Sequence, residues 1–506
     1  MSNLLDKASI VTTPTAYDNG KILSVKPTDG IGDFDFTRNS SATRVNSQGL
    51  IEDVQILSSN LVTNGDFNNG STGWTLSSAW SIGTNKAIFS DTIGGDIRTS
   101  SNVFTANKKY QIKLTVADLT SGTAFFALGA GTASNLVTYA NYANGEHTFN
   151  VTAPNSLELR IYSTTSSGSS YSITNISILE ITDDTNLPRI DYTGGTGHWL
   201  FEPQSTNLIP YSENFSQSNW IKQAAVILTP NQPSPDGGNN AYKVQGTIGS
   251  SYVLDGGFGA ITPQSRSIYM RAETNGVIYS LGDGQSKQIN VTTEWQRFEF
   301  QEISNSFYAV DFRGSGVTLN NVYIWGAQLE QNSYATSYIP TNGSTVTRLQ
   351  DAAFGAGSSD LINSTEGVLY AEIAALADDL TNKQISLNNG TTDDRIQLYY
   401  SASSNQISVF YKSQSGATAF ILNHTLSDIT QFNKVAFKWK QNDFALWSNG
   451  VEVATQTSGV TSSADTLTKL DFQQFNGSAD FFGKTKCLAV FKEALTDAEL
   501  TCLTTI

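Results

Sequence analysis

Apolar residues in this chain alternate with polar ones over short runs, and Gly, Asn and Ser cut the runs apart. Tyr110, Ile112, Leu114 and Val116 stand two apart, as do Leu157, Leu159 and Ile161. Period two places such residues on one face of a strand. A third run, Ile173, Ile176 and Ile178, slips by one residue, which a β-bulge explains. Ile396–Tyr400 and Ile407–Tyr411 flank a polar turn and predict a hairpin. Asn-Gly, the strongest two-residue hairpin signal, recurs at Asn64, Asn69, Asn144, Asn275, Asn342, Asn389, Asn449 and Asn476. The one helix the pattern predicts is short and opens at the capping box Thr496-Asp-Ala-Glu499. The expected fold class is all-β.

The chain also repeats itself. Asn60–Trp74 reads NLVTNGDFNNGSTGW and Asn207–Trp220 reads NLIPYSENFSQSNW. Both open on Asn-Leu, carry an inner aromatic (Phe67, Phe215) and close on Trp. Each copy ends on an Asn followed by alternating apolar residues, from Asn175 in one and Asn321 in the other. Asn175 lies 115 positions after Asn60, and Asn321 lies 114 after Asn207. Agreement at both ends predicts two copies of one domain.

This divides the chain. Residues 1–58 hold one or two hairpins, too little to bury a core, and need a surface to lie on, either the following domain or a partner. Residues 59–183 and 207–345 are the repeated units, each with enough short strands for a jelly-roll sandwich. Residues 184–206 connect them. The Gly cluster there has no Lys-Ser/Thr and no helix after it, so it reads as a plain turn and not as a phosphate loop. Residues 346–506 form a third, different domain.

Composition narrows the function. At 506 residues the chain exceeds what one core serves. A net charge of −15 argues against nucleic acid and against anionic membrane surfaces. No apolar run approaches the ~20 residues of a spanning helix, so no membrane insertion is expected. The start, MSNLLDKASI, has no basic stretch followed by an apolar core, so no Sec signal is visible and assembly inside a cell is expected. Cys487 and Cys502 read as small buried thiols, and three His with two Cys argue against a His/Cys metal site.

Several stretches carry a resemblance. FDFTRNSSATRVNSQGLIE (Phe34–Glu52) and SYIPTNGSTVTR (Ser337–Arg348) resemble segments that flank the modules of tailed-bacteriophage virion proteins of the tail-fibre or structural type. The NGDF…GW opening, with its closing Asn-led strand, is similar to family 4/9-type carbohydrate-binding modules. The last domain resembles concanavalin A-like (laminin G-like) lectin domains through Trp447-Ser-Asn-Gly-Val-Glu-Val453 and the strand and helix of Leu488–Leu500. The resemblance implies three serial β-sandwiches, two jelly-roll modules and one concanavalin A-like domain, after an extended leading segment. It further implies a virion protein made in the host cytoplasm: a fibre, an appendage or a surface decoration of tail or head. Phe34, Phe36, Arg38 and Arg44 would then anchor it to capsid, portal or tail proteins. A homo-oligomer follows from the need to multiply weak sites, and the resemblance to fibre proteins implies a trimer first.

The same residues bear on chemistry. Enzymes on concanavalin A-like scaffolds need acids at alternating strand positions. No Glu-x-Asp-x-x-Glu occurs, and the doublets Asp183-Asp184, Asp378-Asp379 and Asp393-Asp394 read as solvated loops. No enzymatic activity is expected. Sugar modules instead stack aromatic rings on sugar faces beside amides and carboxylates. Trp80, Tyr139 and Tyr142 in the first unit and Tyr252 in the second are the candidates for a host-surface glycan. Trp74 and Trp220 recur at matching positions, which is what core residues do. The resemblance allows a structural calcium ion, with Asp66 as a ligand and Glu213 near the corresponding place in the second copy. No other cofactor is expected. The competing reading is a capsid or tail spacer with no glycan affinity; a bacterial surface adhesin is a third.

Overall fold

A computed structural model describes residues 2–90, 92–131, 135–165, 169–223, 225–256, 262–280, 287–301, 307–415 and 417–506. Strands dominate it, and helix among the described residues is confined to Ser2–Leu5 and Asp497–Thr504. The second helix opens on the capping box of Thr496 and Glu499. The all-β expectation holds.

Among the described residues each repeated unit contains ten strands. In module one they are Trp74–Leu76, Trp80–Gly83, Lys86–Phe89, Gly95–Thr99, Lys109–Ala117, Ala124–Ala130, Asn135–Tyr142, Gly145–Thr152, Leu159–Ser163 and Tyr171–Asp183. In module two they are Ile221–Gln223, Ile227–Gln232, Ala241–Gln245, Tyr252–Gly256, Ser265–Arg271, Gly276–Ser280, Lys287–Val291, Gln296–Gln301, Phe307–Asp311 and Asn321–Glu330. In both, strands one, four, nine, six and seven pair in that order as a front sheet. Strands two, three, ten, five and eight form the back sheet. The two modules share one strand order.

The repeated residues explain why. Asn60 Oδ1 accepts from the backbone N–H of Val62 and of Ile178, both at 3.0 Å. Asn207 Oδ1 accepts from Ile209 at 3.1 Å and Leu329 at 3.2 Å. In each module one side chain thus ties the entering chain to the last strand. Phe67 packs on Trp74 and Phe215 on Trp220, with ring centroids 5.1 and 4.8 Å apart. Both indole N–H groups donate to backbone carbonyls, of Asn64 and Tyr211. Trp74 and Trp220 are core residues. The slip read at Ile173–Ile178 is a bulge in strand ten, where Asn175 takes a left-handed φ of 52°. Module two has its bulge at the equivalent place, at Gly326 with φ 64°, so Asn175 corresponds to Gly326 and not to Asn321, and the closing-strand match read from sequence is out of register.

The C-terminal sandwich packs a five-stranded sheet on a larger one. The smaller runs Thr418–Thr425, Gln406–Ser413, Arg395–Tyr400, Lys383–Asn388, Lys469–Asp471. The larger contains Gly483–Phe491, Glu366–Ala375, Asn433–Lys440, Phe444–Ser448 and Val451–Gln456. Its outer edge is completed from far away in sequence. Ile10–Thr12 and His198–Phe201 both pair with Gly483–Phe491. The strand Phe34–Thr37 pairs with Ala352–Phe354. Ile10, Phe34, Phe36, Trp199 and Phe201 belong to the same core as Leu369, Leu398 and Phe437.

A buried ion-pair cluster joins these pieces. Arg189 Nη1 lies 2.6 Å from Glu202 Oε2, and Arg348 Nη1 lies 2.6 Å from the same oxygen. Arg38 reaches Asp351 at 3.1 Å, and Arg189 also pairs with Asp351. Burial alone would raise the Glu202 carboxyl, but Arg348 and Arg189, with Ser337, outweigh it and hold it far below the usual range.

These contacts correct the anchoring assignment. Phe34 and Phe36 face inward because their strand lies on Ala352–Phe354, and Arg38 is spent on Asp351, so none of the three is available to a particle. Arg44 is half-buried and engaged by Glu52 and the Tyr17 hydroxyl. Two smaller corrections follow. Cys487 is buried but Cys502 is exposed, both free. Asp394 is not solvated; it accepts from the Ser462 hydroxyl at 2.7 Å in a buried site.

Candidate binding faces

Strand nine of module one reads Leu-Arg-Ile-Tyr-Ser, so Leu159, Ile161 and Ser163 point into the sandwich while Arg160 and Tyr162 point out. Across from them on strand four, Asp96 stands opposite Tyr162 and Arg98 opposite Arg160. Arg160 pairs with Glu158 at 2.8 Å and with Asp96 at 3.4 Å. The Tyr162 hydroxyl donates to the Gly131 carbonyl at 2.6 Å, which fixes its ring. On the same sheet Tyr139, 40% exposed, stacks on Phe125 with centroids 5.3 Å apart and planes 20° apart. The front sheet thus shows ring faces beside a guanidinium and carboxylates, the groups that hold a sugar ring and its hydroxyls.

Module two shows the same set on the same sheet. Tyr252, Asp311 and Tyr279 stand in register on strands four, nine and six. Arg313 donates to both Asp311 oxygens, at 2.9 and 2.6 Å, and lies 3.9 Å from the Tyr252 ring centroid. In the C-terminal domain the smaller sheet behaves alike. Ile396, Leu398 and Tyr400 are core, and Arg395, Gln397 and Tyr399 alternate with them. Arg395 lies between Phe410 and Phe475, at 4.7 and 5.0 Å, and its Nε donates to Gln397 at 3.0 Å.

Of the residues predicted from sequence, Tyr139 lies on such a face and Tyr252 lies on another, half-buried beneath Arg313. Trp80 and Tyr142 do not. Trp80 is 5% exposed and pairs in register with Phe89, its ring edge-on to that of Tyr171 on the same sheet and turned into the core. Tyr142 is 7% exposed and stacks on Phe126 at 4.2 Å. It stands three residues from Tyr139, and period two sends residues an odd number apart to opposite faces. Phe125, Tyr162, Arg160, Arg313 and Arg395 were missed. Their signal was present as the outward members of the alternation whose inward members marked the core.

Asp66 accepts from its neighbour Asn68, through the side chain at 2.7 Å and the backbone at 3.4 Å. Glu213 accepts from the Tyr338 hydroxyl and from Asn240, both at 2.8 Å. Among the described residues no group of three His, Cys, Asp or Glu is placed to hold a metal ion. Among the described residues neither Asp66 nor Glu213 is joined by the further carboxylates of a dedicated calcium site.

A cleft of about 1010 Å³ separates the leading hairpin, module one and module two, with Asp53, Glu213, Asp236, Asn150 and Lys109 in its walls. Burial, together with Asp184 and Asp236, pushes Asp53 up to about 6. Burial and Asp236 push Glu213 up to about 7, against the hydrogen bonds from Tyr338 and Asn240. The aromatic residues Trp325 and Tyr338 at this cleft are buried, so they offer no ring face. Among the described residues no helix is long and apolar enough to cross a membrane.

Residues 369–501 match the family described as the concanavalin A-like lectin/glucanases superfamily. The match begins within the strand Glu366–Ala375 and ends in the last helix. The C-terminal region is lectin-like in fold. No curated protein matches the chain. Among solved structures, it is similar to the CBM40 of the Ruminococcus gnavus IT-sialidase bound to α2,3-sialyllactose. There the identity is 18%, over 30% of this chain and 87% of that one, with a TM-score of 0.26. It is similar to domain 4 of AbnA, a GH43 extracellular arabinanase from Geobacillus stearothermophilus, in complex with arabinotriose: 15% identity, 34% of this chain, 84% of that one, TM-score 0.26. It is also similar to the CBM22-1–CBM22-2 tandem of Paenibacillus barcinonensis Xyn10C, with 12% identity, 56% of this chain, 98% of that one and a TM-score of 0.20.

Proposed function

We propose that this protein binds glycans without cleaving them, through the outer faces of its two front sheets and of the smaller C-terminal sheet. The observation that carries the reading is the recurrence of one set of groups on one sheet of both modules. Module one presents Tyr162, Arg160 and Asp96; module two presents Tyr252, Arg313 and Asp311. The lectin-like fold of the C-terminal region supports it. The test is a glycan array probed with the full chain. Captured glycans should be released by Tyr139→Ala with Tyr162→Ala, or by Tyr252→Ala; an array with no bound glycan sinks the reading and leaves an inert spacer.

The resemblance of Phe34–Glu52 and Ser337–Arg348 to phage virion segments supports a place on a virion, as a fibre, appendage or decoration. Because Phe34, Phe36 and Arg38 are committed within the chain, attachment would use other surfaces. Detection of the protein in purified particles, and its position in a particle reconstruction, tests this. Native mass spectrometry tests the trimer.

The cleft favours a second reading. Two carboxyls raised to about 6 and about 7 are what acid–base chemistry on a sugar needs. Against it, both Glu213 oxygens already accept hydrogen bonds. Release of reducing ends from an oligosaccharide panel, abolished by Glu213→Gln, would establish it.

A further inference from the structure

We infer that the outer face of module two's back sheet carries a receptor for the carboxylate of an acidic sugar, built from Arg271, Tyr323, Lys243 and Trp295. Lys243, Tyr323 and Arg271 stand side by side in register on strands three, ten and five. The guanidinium of Arg271 lies 4.0 Å from the Tyr323 ring centroid and 5.5 Å from that of Trp295. Lys243 Nζ is 5.6 Å from the Tyr323 ring and 2.6 Å from Glu273, which also accepts from the Tyr323 hydroxyl at 3.0 Å. The charge of Lys243 is therefore matched.

Arg271 has no such partner in direct contact. Among the described residues its guanidinium makes no ion pair and donates no hydrogen bond. The other exposed-face arginines differ, since Arg313 is bound to Asp311 and Arg160 to Glu158. Ring faces hold the Arg271 plane and leave its N–H edges open. Such a fork, preset in direction, matches a carboxylate with two parallel hydrogen bonds. The nearby carboxylate, Glu273, is held by Lys243 and the Tyr323 hydroxyl and acts on Arg271 only through space. Trp295 is half-buried beside it, and its indole N–H has no protein acceptor among the described residues. Further along the same face, Ile51 and Tyr338 cover Trp325, so the open part is this row.

The occupant that fits is a saccharide with a ring carboxylate, of the uronic or sialic class: the carboxylate on Arg271 and a ring face on Trp295. The inference rests on the glycan-binding reading and adds a charge requirement on a different sheet. The full chain is titrated with trigalacturonate and its methyl ester, and with sialyllactose and lactose. One acidic member should bind about tenfold more tightly than its neutral counterpart. The preference should fade between about 50 mM and about 500 mM salt. Arg271→Gln should remove it without moving the melting temperature, and Arg271→Lys should keep part of it. Equal affinity within each pair, or a preference that survives Arg271→Gln, overturns the inference while neutral binding elsewhere stands. If no sugar binds, the glycan-binding reading falls with it.

Discussion

At the scale of single residues, ring for ring, exposure separates Tyr139 from Trp80 although both sit among Ser, Asn and Ala in the sequence. Trp80→Ala should cost about 3–5 kcal/mol of stability, since it empties a core site between Phe89 and Tyr171. Tyr139→Ala should leave the unfolding free energy within about 0.5 kcal/mol and lower glycan affinity. Equal destabilisation by the two would refute the assignment of faces. Titration adds a second contrast. Asp53 and Glu213 have folded values of about 6 and about 7, above their ordinary 3.8 and 4.5. Between those limits the folded chain binds more protons than the unfolded one, so their contribution falls as pH rises from about 4 to about 7. Asp53→Asn with Glu213→Gln should flatten the stability profile across that window. Glu202 has the opposite sign, because its carboxyl is held below the usual range. Its contribution is present above 4.5 and is lost as the medium becomes more acid.

Among elements, the tie from the entering chain to strand ten is the feature both modules share, and its two copies should differ in weight. Asn60 is exposed, whereas Asn207 is fully buried and also donates to the carbonyls of Ala327 and Ile339. Asn207→Ala leaves buried backbone groups unpaired and should cost about 1–3 kcal/mol. Asn60→Ala should cost less, because water can replace the side chain; a denaturant series on both variants decides it. This level was the most legible in sequence. The Asn-Leu opening, the closing Trp, the bulge and the hairpin of Ile396–Tyr400 with Ile407–Tyr411 all formed as read. Each is specified by neighbours within a few residues or by a repeated frame, so local pattern suffices.

For the molecule as a whole, the ends of the chain are one body. Ile10–Thr12 covers the edge of the strand Gly483–Phe491, and Phe34 packs on Phe472 with centroids 5.0 Å apart. Removing residues 1–37 should expose that edge and open the core, an aggregation hazard. We expect loss of soluble monomeric protein on size-exclusion chromatography, and the same for residues 346–506 expressed alone. A well-behaved isolated domain would show that the added strands are dispensable. Glu202→Gln tests the ion-pair cluster: Arg189 and Arg348 would keep their charges in a buried site with one carboxylate fewer. The variant should lose several kcal/mol, about 3–5 by analogy with broken buried pairs.

What the sequence determined by itself was strand, turn and repeat, because period two and turn chemistry are written in adjacent residues. What it left open was direction. Alternation is symmetric between the two faces of a strand, so Trp80 and Tyr139 looked alike until the partner sheet chose the inside. It also left open which edges meet. Strand pairing runs through backbone N–H and C=O groups that every residue carries, so nothing in Ile10–Thr12 names Gly483–Phe491 as its partner. Only the closed core, with Arg38, Arg189 and Arg348 drawn around Glu202 and Asp351, decided that the leading segment belongs to the last domain.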